Sequence, residues 1–424
     1  MKVFLDFIGC RLNQSELETI GNQFRYFDHI IVDDPHDADI AVVNTCTVTS
    51  NAAADSRKKI RQAHRAGINE IIVTGCWATL EADAAAMLSG VTQIVSNMDK
   101  DELVFNYLNK TIPKDEKYDI IRKPLPGQRQ RTRAFIKVQD GCDNHCTYCI
   151  TRIARGKGKS RSVSDIITDI NNAYLGGAKE IVLSGVHLGS WGYDFVKKDK
   201  LTNLLSIILK ETNVPRIRLS SIEPWDLDDG FFDLWRDERM CRHLHLPLQS
   251  GSASVLKRMA RNVTPESYAS IISKFRKILS QIAITTDVIV GFPGESDQEF
   301  QDSLSFIKSI GFSGGHVFPF SPRTGTAAAR YENRIPKEIT KCRSRIMREV
   351  FNDASHDYKK AHLNEQLCIL WEKAKIVDDK LWQLEGLSDN YIRVKTLSDE
   401  KRWNQISKVN ITEIEKDSVW GEIV

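Results

Sequence analysis

From Lys2 to Asn97 the chain alternates short β-branched runs with segments of helical period, and no other property restricts its fold as much. "KVFLDFI" (2–8), "DIAVVNT" (39–45), "EIIVTG" (70–75) and "VTQIVSN" (91–97) read as strands, with "ELETIGNQFRYF", "NAAADSRKKIRQAHRAG" and "ATLEADAAAMLSG" as the helices between them. Strands joined through helices pair in parallel, so this order predicts an α/β, doubly wound parallel sheet. The carboxyl ends of such strands share one edge, and ligand sites form there. Cys10, Cys46 and Cys76 each fall immediately after one of the first three of these strands. A single cysteine at that step is as readily a small buried hydrophobe. Three at the same step of successive units argue for a three-thiolate metal site.

A longer βα series follows. "RAFIKVQ", "KEIVLSG", "RIRLSS", "HLHLPLQ", "AITTDVIVGF" and "GGHVFPF" read as strands, with helices from about Ser164, around "LTNLLSIILK" and through "PESYASIISKFRKIL". About six units in sequence predict a partial or complete (βα) barrel whose chemistry sits at the carboxyl ends of its strands. Directly after the first strand stands "GCDNHCTYC", which places Cys142, Cys146 and Cys149 within nine positions. A structural zinc site needs four closed ligands, and no second Cys or His pair follows at finger spacing. His145 adjoins Cys146 too closely to ligate the same ion and reads as a loop residue. A cubane cluster has four irons, so three thiolates leave one iron open to another ligand.

Other features set the context. The amino terminus lacks the pattern of a signal peptide, and no apolar run approaches the roughly 20 residues of a membrane span, so a soluble, cytoplasmic protein with no membrane partner is expected. Nine cysteines in such a chain read as ligands or buried thiols rather than disulfides. Between Ile121 and Arg161 eleven Lys or Arg face two acids, Asp140 and Asp143, a local +9 in a chain of net +3. A polyanion docking beside the cysteine triplet and a solvated Arg-rich linker both account for that charge. The polar, proline-containing stretch 113–130 reads as a linker, dividing residues 1–112 from a central unit at 131–359. The last part, 360–424, changes to short alternating segments expected of a five-stranded RNA-binding barrel. It carries ten Lys or Arg against twelve Asp or Glu, less basic than a phosphate-binding module requires.

A CxxxCxxC loop after the first strand of a (βα) barrel resembles the radical S-adenosylmethionine (SAM) superfamily. Together with "IGCRLNQSE", "NTCTVT", "GCWA", "ARGKGKSRS", "LSGVHLGSWG", "RLSSIEP", "HLPLQSGSAS", "VIVGFPGESDQEF" and "FPFSPRTGTAAA", it resembles the methylthiotransferases over nearly the whole length. "NTCTVT" is most similar to the branch acting on N6-threonylcarbamoyladenosine next to the anticodon of tRNA. The resemblance implies a [4Fe–4S] cluster on Cys142, Cys146 and Cys149 that binds and reductively cleaves SAM. It implies an auxiliary [4Fe–4S] cluster on Cys10, Cys46 and Cys76 that carries sulfur, and a carboxyl-terminal TRAM barrel. One SAM methylates the sulfur, and a second supplies the radical that takes hydrogen from C2 of the base. The tRNA anticodon stem-loop, an electron donor such as a flavodoxin or ferredoxin, and a sulfur donor are the implied partners.

Ser184 and Gly185 match positions where the superfamily approaches the SAM amino group, and Ser220 and Glu223 are candidates to hydrogen-bond its ribose or methionine. A plain turn at Gly185 and a solvated acid at Glu223 account for the same residues. Gln249 is a cavity or turn residue, and Gly291–Glu295 reads as turn chemistry. Cys241, Cys342 and Cys368 have no partner spacing and read as core residues. Methylthiolation of isopentenyladenosine in tRNA or of a ribosomal protein, and a non-enzymatic iron–sulfur RNA-binding scaffold, are the alternatives.

Overall fold

The structure, a computed structural model, describes residues 1–110, 132–378 and 381–424. The expected linker at 113–130 lies outside the described residues, as do Arg122, Lys123, Arg129 and Arg131 of the basic window.

Residues 2–108 build a parallel sheet from β1 (Lys2–Phe7), α1 (Arg11–Tyr26), β2 (Ile30–Val32), β3 (Ile40–Thr45), α2 (Ser50–Arg65), β4 (Ile71–Gly75), α3 (Cys76–Leu80), α4 (Ala82–Ala86), β5 (Val91–Val95) and α5 (Leu103–Leu108). Its five strands run in the order β2-β1-β3-β4-β5. All six residues of β3 are buried, which is why "IAVVNT" is nearly continuous rather than alternating. Leu17, Ile20 and Phe24 of α1 cover one face of the sheet, and Ala53, Ile60 and Ala63 of α2 cover the other. Two expectations need correction. β2 is an additional strand, too short at three residues to show a period, so the cysteines follow the first, third and fourth strands. The helix expected over Ala78–Gly90 is two five-residue helices, the first beginning at Cys76 itself.

The central unit comprises β6 (Arg133–Lys137), β7 (Gln139–Asp140), α6 (Thr151–Arg155), β8 (Lys159–Ser160), α7 (Val163–Leu175), β9 (Glu180–Ser184), α8 (Leu201–Glu211), β10 (Arg216–Leu219) and α9 (Asp229–Asp233). It continues with β11 (His243–His245), α10 (Ala253–Arg258), α11 (Pro265–Ile278), β12 (Ala283–Val290), α12 (Asp297–Ile310), β13 (Gly314–Pro319) and α13 (Lys337–Lys360). Sheets β10-β9-β6 and β11-β12-β13 are joined by parallel bridges Ile217↔Met240 and Ser221↔His245, giving six parallel strands in chain order. Among the described residues no pairing closes β13 onto β6, so the barrel is partial. Helix α1 covers the β6 edge, where Ser15 Oγ donates to the Phe135 carbonyl at 2.7 Å. The two-residue ladder β7–β8 closes the base of the cysteine loop.

β14 (Gln366–Asp378), β15 (Leu381–Ser388), β16 (Arg393–Ser398), β17 (Ile406–Ile414) and β18 (Val419–Ile423) form a closed barrel in the order β14-β15-β16-β18-β17. Its β15–β16 turn seats at the amino ends of the central strands, opposite the cysteine loop. There Arg218 donates to the Ser388 and Asp389 carbonyls, both at 3.0 Å, and Tyr391 stacks on His243 at 4.0 Å and 7°. Glu180 lies fully buried among these arginines. Burial alone raises its pKa, but Arg218, Arg216 and Arg133 hold it at about 2.

Cys241 is buried as expected, whereas Cys342 and Cys368 are exposed, against the reading of them as core residues. Cys342 faces solvent on α13, and Cys368 points out of β14 between the inward Leu367 and Ile369. Among the described residues no helix is long and apolar enough to cross a membrane.

Candidate functional site

The order β2-β1-β3 puts a topological switch point between β1 and β3, and Cys10 and Cys46 leave those two strands side by side. Gly9, at φ +108°, carries the chain directly over Cys46: a Cβ there would lie 2.7 Å from both Cβ and Sγ of Cys46. Only glycine fits that approach. At Gly75, φ +99°, a Cβ would lie 2.3 Å from the Thr45 carbonyl oxygen, and Cys76 follows it. Asn13 fastens the rim, donating to the Ile8 and Thr45 carbonyls at 2.8 and 3.0 Å. Burial pushes the Cys46 thiol up to about 12, with Cys10 and Cys76 nearby adding to the cost of a thiolate. Three thiolates there require a cationic occupant. All nine cysteines are free of disulfides.

The second set lies in the loop after β7. Backbone N–H groups of Asn144 and Thr151 donate to Cys142 Sγ and Cys149 Sγ, both at 3.4 Å. Such bonds stabilise thiolates and tune iron–sulfur ligands. Cys146 is pushed up to about 11, chiefly by burial, while Arg261 lies 3.9 Å from its sulfur. Behind Cys142, His187 pairs with Asp226 at 2.7 Å. Exposed His145 contacts Arg152.

Helix α6 links the two sets. It starts two residues after Cys149 and packs on α3, which begins at Cys76. Asn97 Nδ2 donates both to Cys76 Sγ at 3.6 Å and to the Ala154 carbonyl at 2.9 Å. The last residue of α6, Arg155, enters the amino-terminal unit beside Cys10 and donates to Asn13 Oδ1 at 2.6 Å and Glu16 Oε1 at 2.8 Å. Glu16 also accepts from Lys100 at 2.7 Å and from Asn44 at 3.1 Å. Burial disfavours the Glu16 carboxylate, but Arg155 and Lys100 hold its pKa well below the usual range. From the far side, the loop after β13 places Arg323 on Thr47 and, at 3.2 Å, on Ser50, both close to Cys46. Sequence reasoning missed this network; Arg155 was legible only as one cation of a basic run.

Ser184, Gly185, Ser220 and Glu223 stand at the carboxyl ends of β9 and β10, on the edge that carries the triplet. Ser184 is buried, its Oγ 3.4 Å from the Val182 carbonyl, and Gly185 presses against Gln139. Ser220 Oγ is buried without a partner among the described residues. Glu223 is gripped by Arg261 at 2.9 and 2.6 Å, so its carboxylate is not free in the way a solvated strand-end acid is. Gln249, at φ +74°, bridges to Val288, and Glu295 accepts from the Gly291 N–H at 2.7 Å within its turn.

The Radical SAM superfamily profile matches residues 136–307, and that of an uncharacterized family, UPF0004, matches residues 2–96. A Bacillus subtilis protein named threonylcarbamoyladenosine tRNA methylthiotransferase is 36% identical over 416 residues, covering 95% of this chain and 92% of its own length. The chain belongs to the radical SAM methylthiotransferase family. A Thermotoga maritima protein of the same name is 34% identical, covering 94% of this methylthiotransferase and 95% of itself. One from Clostridium tetani named tRNA-2-methylthio-N6-dimethylallyladenosine synthase is 29% identical, with coverage of 99% and 96%. Among solved structures, the radical SAM methyltransferase TsrM from Kitasatospora setae aligns with TM-score 0.56 at 13% identity, over 75% of this chain and 72% of that one, and so shares the fold.

The family implies SAM and a [4Fe–4S] cluster, and the methylthiotransferase fits both. The triplet offers unpaired thiols with N–H donors at the sulfurs, and the adjoining strand ends offer an unsatisfied buried hydroxyl at Ser220. Among the described residues no three His, Cys, Asp or Glu side chains converge tightly enough to hold a single ion. A cubane gives each thiolate its own iron, so its sulfurs need not meet at one atom.

Proposed function

We propose that this methylthiotransferase places a methylthio group on C2 of N6-threonylcarbamoyladenosine adjacent to the anticodon of tRNA, using two SAM molecules and two [4Fe–4S] clusters. The observation that carries the reading is the placement of both cysteine sets against α6, one touching its start and the other its packed face. An aromatic C–H needs a radical and the incoming sulfur needs a separate holder, so two adjoining sites fit one substrate base. Cys142, Cys146 and Cys149 would hold the SAM-binding cluster, and Cys10, Cys46 and Cys76 the auxiliary one. When bound, the clusters supply the electron that cleaves SAM and the site that carries sulfur.

The chain's own residues orient and shield. Ser184, Gly185 and Ser220 would face SAM, with Glu223 acting through Arg261, whose other hydrogen bond, to the Pro247 carbonyl at 2.6 Å, fixes its fork. Arg155 and Asn97 hold the two sites at fixed separation. An electron donor such as a flavodoxin or ferredoxin and a sulfur donor complete the reaction. The substrate is supported by relatives: those named for threonylcarbamoyladenosine are 33–36% identical, and those named for dimethylallyladenosine 29–30%.

The test is nucleoside mass spectrometry after anaerobic incubation with SAM, dithionite and tRNA carrying either modified adenosine. Methylthio product on the threonylcarbamoyl tRNA supports the reading. Product only on isopentenyl tRNA keeps the chemistry and overturns the substrate.

A further inference from the structure

A cavity of about 370 Å³ opens beside the first turns of α13, at the carboxyl ends of β12 and β13. Among the described residues four cations line it, Arg334, Lys337, Lys341 and Arg348, and no carboxylate does. All four are exposed. Phe320 and neighbouring prolines form an apolar wall, and Ser344, 2% exposed, lines the cavity with an Oγ that has no hydrogen-bond partner among the described residues. The unbonded amides of the first turn of α13 add to the positive potential.

The cavity adjoins the chemistry. Phe320 packs in the same apolar cluster as Tyr148, which lies between Cys146 and Cys149. Three residues further on, Arg323 reaches Thr47 and Ser50 beside Cys46. A strand leaving a base at the cysteine sets therefore passes this cavity within a short length of backbone.

We propose that this cavity is a nucleotide subsite that takes one phosphodiester of the RNA strand, with its ribose or base against Phe320, next to the residue being modified. This rests on the tRNA reading above. A concave site with a buried, unsatisfied hydroxyl and an aromatic wall matches a phosphate and its sugar. A flat cationic patch for an acidic protein needs neither. The run of cations around the cysteine triplet is contiguous in the chain, whereas these four come from a segment in which acids are interleaved and only the fold gathers them.

The test is fluorescence anisotropy of a labelled anticodon stem-loop RNA on the reconstituted holoenzyme across a salt series. Lys337→Ala/Lys341→Ala is expected to lower the slope of log affinity against log salt by roughly 0.7–0.9, the share of that one phosphodiester. Ser344→Ala is expected to weaken binding roughly 2- to 12-fold with the slope retained. Lys210→Ala, an exposed change on distant α8, should leave both unchanged. SAM cleavage without RNA should match wild type in every variant, showing an intact catalytic core. Wild-type affinity and slope in Lys337→Ala/Lys341→Ala overturn the subsite. So does normal RNA binding combined with a raised requirement for reduced flavodoxin, which assigns the cations to an acidic electron donor. A wild-type protein that binds no RNA sinks the tRNA reading instead.

Discussion

Replacing Glu16 by Gln tests whether α6 truly ties the two cysteine sites together. The carboxylate is 2% exposed, as are its partners Lys100 and Arg155, so solvent does not screen the pairs. Among the described residues, removing its charge leaves Lys100 with only Asn44 Oδ1 at 3.3 Å, and leaves Arg155 with Asp140 at 2.9 Å and Asn13. Stripping one partner from a buried ion pair costs about 3–5 kcal/mol, because the remaining cation keeps its desolvation penalty. That corresponds to a roughly 150-fold to 5,000-fold rise in local opening. Hydrogen exchange of the β3 and α6 amides in the reconstituted protein reads it directly, since β3 flanks Glu16 and α6 carries Arg155. A companion Glu16→Leu/Lys100→Met variant, in which the charges leave together, should recover part of the loss. A change below about 1 kcal/mol, the size of an exposed pair, refutes the reasoning.

Gly9→Ala forces a Cβ to within 2.7 Å of Cys46 at φ +108°, so it should release the iron of the proposed auxiliary cluster while the remainder of the protein stays folded; full iron occupancy would contradict the crowding argument. Glu180 has its pKa depressed to about 2, so its contribution is present above the unfolded carboxyl value and is lost as pH falls towards 2. It amounts to about 3 kcal/mol, and Glu180→Gln should flatten the acid limb of thermal melts between pH 5 and 2; an unchanged limb argues against it. Tyr391→Ala removes the stack on His243 and a cation–π contact with Arg218 at 5.3 Å, so proteolysis of the carboxyl-terminal barrel should accelerate by the equivalent of about 1–2 kcal/mol. Equal cleavage rates would show that the turn contributes no docking energy.

The strands carrying the six cysteines were legible because each is a buried parallel strand with a strong apolar run, and the ligand spacing of the triplet is local in the chain. β2 was not, since three residues carry no period. Arg155 and Glu16 are 139 residues apart, and nothing in either segment announces the other. Their pairing depends on α1 lying against β6, a tertiary choice. Cys342 and Cys368 were misread because composition favours burial of cysteine, whereas the helix face and the strand alternation decide it. Of Ser184, Gly185, Ser220 and Glu223, the last two show why sequence stops short: a hydroxyl unpartnered among the described residues and an arginine-held carboxylate are properties of neighbours, not of the residues themselves.

The most direct test of two adjoining clusters is iron content after anaerobic reconstitution, taken on wild type and on two triple variants. About eight irons in wild type should fall to about four when Cys142, Cys146 and Cys149 become Ala, and again to about four when Cys10, Cys46 and Cys76 do. About four irons in wild type, unchanged by replacing Cys10, Cys46 and Cys76, would remove the auxiliary cluster and with it the proposed route to the methylthio product.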